Sequence, residues 1–155
     1  SIQSIVQVAK NFGGVEHRIE FVREIDGVKW YNDSIATSPT RVIAGLNSFN
    51  QKLIVIAGGY DKKIPFEPVN KNVKILILLG ATADKIEKAV TESPLYPESG
   101  LKIVRVKTLE EAVLTAQKMA EKGDVVTLSP ACASFDLYPN FEARGRHFKR
   151  LVNEL

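Results

Sequence analysis

The feature that most constrains the fold is a series of short apolar segments that alternate with helical patterns. Each segment is too short for a helix, rich in β-branched residues and bounded by turn residues, so each is predicted to be a buried strand. The segments are Leu53–Ala57, Val73–Leu79, Leu101–Val106 and Asp124–Leu128. Strands that alternate with helices run parallel in one sheet, because each helix carries the chain back along a face. We therefore predict an α/β fold with a mostly parallel, doubly wound, Rossmann-like sheet and helices on both faces.

A β-hairpin is predicted ahead of this alternating region. Residues Glu20–Glu24 and Val28–Asn32 read as two strands. Asp26-Gly27 joins them, and an Asp-Gly pair favours the tight turn that fits strand twist.

Capping residues predict where the helices begin and end. Ser38 and Pro39 open a helix to about Phe49, and Thr82 opens one to about Glu92. Thr108–Glu111 is a capping box for a helix to about Lys122, and the last helix runs from about Asn140 to Asn153.

Three segments are less regular. Ile64–Val69 holds two prolines and is predicted to be a loop or one short helical turn, and Ser93–Gly100 is predicted to be a surface loop. Ser1–Phe12 has apolar residues at helical spacing and ends at Gly13-Gly14.

Composition narrows the class of protein. The 155 residues are enough for one domain with a core, and a net charge of +3 is spread among interspersed acids and bases. No Lys/Arg stripe interleaved with aromatics suggests nucleic acid, and the run Ile75–Leu79 is too short to cross a membrane. A single cysteine, Cys132, excludes an internal disulfide and agrees with a cytoplasmic protein.

Polar and small residues follow several strands, at the sheet edge where ligands bind in such folds. The candidate junctions are 58–62, 80–82 and 129–136. Lys62, beyond a Gly pair, could hold a carboxylate or phosphate, although glycines there are also ordinary turn residues. Neither a G-x-x-x-x-G-K-[ST] loop nor a G-x-G-x-x-G fingerprint occurs.

Other polar residues leave two interpretations open. Asp33 could accept from a sugar hydroxyl and Thr37 or Ser38 could donate to an anion, or these residues could simply cap turns and a helix. His17 and Arg18 could be an unremarkable surface pair, or the Arg18 guanidinium could clamp a phosphate. Cys132 is predicted to be a small buried residue rather than a nucleophile. The basic residues Arg144, Arg146, His147, Lys149 and Arg150 are predicted to form a solvated helix face.

Taken in order, the polar motifs resemble those of a known family. They are Glu16-His17-Arg18, Asn32–Thr37, Gly58–Lys62, Leu128–Asp136 and Asn140–Gly145. Together they resemble the C-terminal domain of the Mur ligases, in the branch that adds D-glutamate to UDP-N-acetylmuramoyl-L-alanine. Leu128–Asp136, with its Ser-Pro-Ala-Cys-Ala-Ser-Phe-Asp string, is the most specific part. One departure is Ile35, which stands where many relatives carry a lysine.

The resemblance implies an ATP- and Mg²⁺-dependent amide ligation in cytoplasmic peptidoglycan precursor synthesis, through an acyl phosphate. By this similarity the nucleotide faces His17, Arg18 and Asp33. The D-glutamate pocket is lined by Thr37, Lys62, Ser134, Phe135 and Phe141.

The resemblance also implies a missing remainder of the protein. Residues 1–14 are expected to be the end of a central domain or a linker helix, and residues 15–155 the C-terminal domain. The Mg²⁺ ligands and the phosphate loop are expected in domains outside this chain, so the chain alone should be inactive. Two alternatives remain: a stand-alone nucleotide- or anion-binding module, and another ligase of the superfamily, of the folylpolyglutamate synthetase type.

Overall fold

A computed structural model describes residues 15–58, 66–80, 83–130 and 138–155. The strands are β1 (Glu20–Ile25), β2 (Val28–Asn32), β3 (Leu53–Ala57), β4 (Val73–Leu78), β5 (Lys102–Arg105) and β6 (Val125–Leu128). The helices are α1 (Pro39–Leu46), α2 (Phe66–Asn72), α3 (Ala83–Thr91), α4 (Tyr96–Ser99), α5 (Leu109–Met119) and α6 (Phe141–Asn153).

The strands form one six-stranded sheet in the order β1-β2-β6-β3-β4-β5. Strand β1 is antiparallel to β2, and every other neighbouring pair is parallel. The last strand in the chain, β6, therefore lies between β2 and β3. The predicted α/β fold with an N-terminal hairpin is confirmed.

The hairpin turn has the geometry that its sequence predicts. Asp26 and Gly27 both have positive φ, at 51° and 80°, as the type I′ turn of a two-residue hairpin requires. The Gly123 N–H donates to the Gly27 carbonyl at 2.9 Å, so the turn is fixed to the connection between α5 and β6.

Apolar clusters cover both faces of the sheet. One cluster joins the strands to α1, α2 and α3, for example through Leu46 and Val90. The other joins them to α5 and α6, and it includes Trp30 and Phe148, whose ring centroids are 6.3 Å apart. This burial on two faces explains why β3 is apolar along its whole length.

The predicted N-caps Ser38 and Thr108 are confirmed, and Asn140 caps the last helix. The Ser38 side chain accepts from the Arg41 N–H, and Asn140 accepts from the Ala143 N–H. Thr108 accepts from the Glu111 N–H. The capping box differs in one detail, because the Glu111 carboxylate accepts from the N–H of Lys107 rather than that of Thr108.

Two segments expected to be loops contain helices. The prediction of a loop at Ser93–Gly100 is wrong because α4 occupies part of it, with proline in its first turn and Gly100 at φ 71° as its C-cap. Helix α2 is likewise longer than the single turn expected near Ile64–Val69. Proline is tolerated in the first turn of a helix, where its missing N–H has no intrahelical partner.

Two helices end earlier than predicted. Helix α1 ends at Leu46 instead of about Phe49, because the Ser48 N–H bonds to the Gly45 carbonyl in a tight 3₁₀ turn. Helix α5 ends at Met119 instead of about Lys122, since Ala120 is already extended. The helix predicted for Ser1–Phe12 and the cap predicted at Thr82 lie outside the described residues. Within the described ranges, no helix is long and apolar enough to cross a membrane.

Candidate functional site

Backbone pairing continues past the ends of β2, β3 and β6, which gathers the residues that follow them at one edge. The Asp33 N–H donates to the Leu128 carbonyl at 2.9 Å. The Gly58 N–H donates to the Pro130 carbonyl, also at 2.9 Å. Gly58 has φ 127°, and a Cβ there would lie 1.7 Å from the Leu79 carbonyl oxygen. This junction therefore requires glycine, because no side chain fits between the two backbone segments.

Residues 15–19, the connector before β1, form a strained turn. His17 and Ile19 have φ values of 69° and 46°, a region that is costly for side chains with a Cβ and most costly for β-branched ones. Hydrogen bonds hold it: Ile19 N–H to Asp33 Oδ1 at 3.2 Å and Ile35 N–H to the His17 carbonyl at 3.0 Å. Between the two strained residues, the Arg18 side chain is exposed. The turn thus presents a guanidinium to solvent, where an anion can reach it.

The His17 ring is buried, with 2% of the residue exposed. The Asn32 side-chain amide lies 2.9 Å from Nδ1. Because the amide nitrogen can only donate, Nδ1 accepts and the ring proton is assigned to Nε2. Nε2 is 3.3 Å from a Glu16 carboxylate oxygen but makes no hydrogen bond of good geometry. Burial lowers the pKa of His17 and the Glu16 charge partly opposes this, so the ring is neutral at pH 7.

Helix α6 packs directly on this ring. A Cβ on Gly145 would lie 2.1 Å from His17 Nδ1, so glycine is what lets the helix approach. The Phe141 ring meets the His17 ring edge-on, with centroids 5.9 Å apart. The structure thereby brings together a predicted nucleotide residue, His17, and a predicted D-glutamate residue, Phe141.

Asp33 is almost fully buried, with 3% of the residue exposed. Its Oδ1 already accepts from the Ile19 N–H, and a Cβ on Gly45 would lie 2.6 Å from its Oδ2. Burial raises the pKa of Asp33 to about 6, while the Ile19 N–H and the charges of Arg18 and Arg41 act to lower it. A ligand hydroxyl would have to share this carboxylate with the connector.

Arg144 is a site residue that the sequence reasoning missed. The prediction that it lies on a solvated helix face is wrong, because only 4% of the residue is exposed. Its Nε and Nη2 donate to Ser34 Oγ at 3.0 Å and to the Ser34 carbonyl at 2.8 Å. Ser34 Oγ donates in turn to the Phe141 carbonyl at 2.7 Å. The sequence signal for this burial was the neighbouring Gly145, because a glycine inside a helix indicates that another part of the chain packs closely there.

Other residues of the basic run are also partly engaged. Lys149, with 21% of its side chain exposed, pairs with Glu16 at 2.8 Å and with Glu20 at 3.2 Å. His147 is partly buried, whereas Arg146 and Arg150 are exposed. Lys149 thus ties α6 to both ends of the connector that carries Arg18.

The remaining predicted site residues are placed less completely. Thr37 is half-buried directly before the Ser38 cap, and its N–H donates to the Ile35 carbonyl at 2.7 Å. Lys62, Ser134 and Phe135 lie outside the described residues, as does Cys132. In the described part of the chain, no group of three or more His, Cys, Asp or Glu side chains could hold a metal ion.

A comparison with known protein families identifies the family of this chain. Residues 17–132 match the family described as "Mur ligase, glutamate ligase domain". The chain belongs to the Mur ligase family. The matched range includes the connector, the sheet and most of the edge that carries the site.

Individual relatives indicate which branch of the Mur ligases the chain is most similar to. The chain is 60% identical, over its whole length, to the UDP-N-acetylmuramoylalanine--D-glutamate ligase of Clostridium botulinum (strain Kyoto / Type A2) and covers 35% of that protein. It is 57% identical to the ligase of the same name from Clostridium acetobutylicum, again over its whole length, and covers 34% of it. The chain thus spans about a third of the length of the curated relatives it matches.

A solved structure confirms the Mur ligase fold at low sequence identity. The UDP-N-acetylmuramate-alanine ligase MurC from Thermotoga maritima aligns with a TM-score of 0.60 at 13% identity, over 99% of this chain and 34% of that one. At this identity the likeness concerns the fold alone.

Proposed function

We propose that this chain is the C-terminal domain of a ligase that joins D-glutamate to UDP-N-acetylmuramoyl-L-alanine, using ATP and Mg²⁺, in cytoplasmic peptidoglycan precursor synthesis. The observation that carries the proposal is 60% identity over the whole chain to ligases of that name. Residues 15–155 form the domain, and residues 1–14 belong to the end of the preceding domain or to the linker. The partners are ATP, D-glutamate, the nucleotide-sugar substrate and the rest of the same protein.

The reaction has two steps. The terminal phosphoryl group of ATP passes to the substrate carboxylate, which releases ADP and forms an acyl phosphate. The D-glutamate amine then attacks the acyl carbon: a C–N bond forms, the C–O bond to phosphate breaks, phosphate leaves and the amine loses a proton. Holding the amine and the acyl phosphate together is what accelerates such a step, because it removes the entropy cost of their encounter.

The described residues divide between the two reactants. Arg18 is exposed and cationic and suits the ATP phosphates, next to His17 and Asp33. Thr37 and Phe141 are assigned to the D-glutamate side. The resemblance assigns Lys62, Ser134 and Phe135, which lie outside the described residues, to the same side. The contacts of Phe141 with His17 and Ser34 join the two sides. The resemblance assigns metal ligation to the other domains.

The decisive experiment is a ligase assay on the intact protein with a panel of amino acids. We expect ATP-dependent phosphate release with D-glutamate and little with L-alanine, D-alanyl-D-alanine, a diamino acid or L-glutamate. Use of L-glutamate on a folate substrate would instead support the folylpolyglutamate alternative. No activity with any amino acid, together with ATP binding, would support the stand-alone module.

The role of Arg18 is tested in the same assay. Arg18→Ala should raise the KM for ATP by about 10-fold or more, since a charge-assisted hydrogen bond contributes roughly 1.5–3 kcal/mol. The matched control is Arg105→Ala, which removes a surface pair with Glu87 at the far side of the sheet and should leave KM unchanged. An unchanged KM in Arg18→Ala would remove Arg18 from the nucleotide site.

A further inference from the structure

A hydrogen-bonded chain of three side chains joins the start of α6 to the start of α5. The Tyr138 hydroxyl lies 2.6 Å from His147 Nδ1, and His147 Nε2 lies 2.9 Å from Glu110 Oε1. The rings of Tyr138 and His147 are in contact, with centroids 5.6 Å apart. We call these three residues the Tyr138 clamp. They come from the segment before α6, the middle of α6 and the first turn of α5.

The clamp persists whether or not His147 is protonated. The Glu110 carboxylate only accepts, so the neutral ring carries its proton on Nε2 and Nδ1 accepts from the tyrosine hydroxyl. In the imidazolium, both nitrogens donate and the hydroxyl becomes the acceptor. Burial and the Glu110 charge raise the pKa of Tyr138 to about 12, against the charges of Arg144 and Arg150. The tyrosine therefore keeps its proton at neutral pH and can fill either role.

The clamp fixes the direction in which the chain enters α6. Tyr138 precedes Phe141, the first residue of the helix, by three positions. The Phe141 ring contacts the His17 ring, and the Phe141 carbonyl accepts a hydrogen bond from the Ser34 hydroxyl. A shift of this first turn would move both contacts.

We propose that His147 is a positioning residue: through Tyr138 and Glu110 it holds the first turn of α6, and hence Phe141, in the geometry that accepts the incoming amino acid. The proposal rests on the proposed function, because its main readout is the KM for D-glutamate. A role in stability alone is disfavoured by exposure, since 50% of the Glu110 side chain is exposed and exposed pairs add little stability.

The experiment compares His147→Phe and His147→Gln in the intact protein. Phenylalanine keeps the ring volume and loses both hydrogen bonds, whereas glutamine can both accept from Tyr138 and donate to Glu110. We expect His147→Phe to raise the KM for D-glutamate about 10-fold with kcat changed less than about 3-fold. His147→Gln should recover most of that loss. Lys74→Gln, which breaks the Lys74–Asp124 pair at the other edge of the sheet, is the control and should keep the parent KM.

Two results would overturn the proposal. One is a KM for D-glutamate in His147→Phe that equals the KM of the parent protein. The other is a KM increase in Lys74→Gln as large as that in His147→Phe, which would indicate a general loss of stability. If the parent protein does not use D-glutamate, the proposed function fails, and the clamp is then tested separately on the 155-residue chain.

That separate test uses nitrogen-15 NMR of the imidazoles, since the chain has only two histidines. Neutral His147 should show the Nε2–H tautomer, and Glu110→Ala should shift it toward a mixture while His17 stays unchanged. A tautomer mixture in the parent chain would contradict the clamp.

Discussion

Replacing Gly145 by alanine should destabilise the chain, although alanine is the better helix former. Alanine in place of a helical glycine contributes about 1 kcal/mol of stability. Against this, the new methyl would lie 2.1 Å from His17 Nδ1 and 2.7 Å from Cε1. Forcing a methyl into a packed site costs about 1–3 kcal/mol. Moving the ring also breaks the Asn32–His17 hydrogen bond, which costs roughly 1–3 kcal/mol more in a buried site.

The expected net change for Gly145→Ala is therefore a loss of about 3 kcal/mol in the free energy of unfolding. Urea denaturation followed by circular dichroism measures it. The informative control is the same substitution in a His17→Ala background, where the obstructing ring is gone. There the remaining close neighbour is the end of the Asn32 side chain, at 3.0 Å, which can move.

In the His17→Ala background, Gly145→Ala should no longer lower the free energy of unfolding. It should leave it unchanged or raise it by up to about 1 kcal/mol. An equal loss in both backgrounds would refute the reasoning, because the cost would then not come from the His17 ring. A loss in neither would show that α6 does not pack on His17 as described.

Three further predictions concern buried groups at the same edge. Asp33→Asn should gain about 2.5 kcal/mol of stability relative to the parent as pH rises from about 4 to about 7. The reason is that the raised pKa of Asp33 makes the parent lose stability as the carboxylate ionises in that window. Urea titrations at both pH values measure this, and a pH-independent difference would contradict it. Arg144→Lys should cost about 3 kcal/mol, since lysine cannot reproduce both hydrogen bonds to Ser34, and a loss below about 0.5 kcal/mol would show that these bonds contribute little. Gly58→Ala should prevent folding or lower the thermal midpoint by more than about 10 °C, because its Cβ would overlap the Leu79 carbonyl; a parent-like midpoint would mean that the β3 junction is differently built.

The elements that were predicted correctly depend on local chemistry. The Asp26-Gly27 turn, the Ser38 cap and the apolar strand β3 each follow from residues adjacent in the sequence. The mostly parallel direction of the strands followed too, because strands that alternate with helices run parallel in one sheet, whereas the order of the strands was not predicted.

The errors about side-chain burial arose where distant parts of the chain meet. Arg144 looks like any helical arginine until α6 is placed against the end of β2, 110 residues earlier in the chain. Lys149 likewise pairs with Glu16, 133 residues away. Sequence periodicity carries no information about such contacts. Resemblance assigns roles to His17 and Phe141, but it did not predict their direct contact.

The position of β6 in the sheet has a consequence for biosynthesis. Strands β1 and β2 form one hydrogen-bonded unit, strands β3, β4 and β5 form another, and only β6 joins them. A nascent chain that has not yet reached Val125 therefore holds two sheet fragments with unpaired edges facing the gap that β6 will fill. Such edges invite pairing with other chains, and non-local closure is slow. We expect a ribosome stalled just before β6 to display a species that binds chaperones, and one stalled well beyond α6 to display a protease-resistant domain.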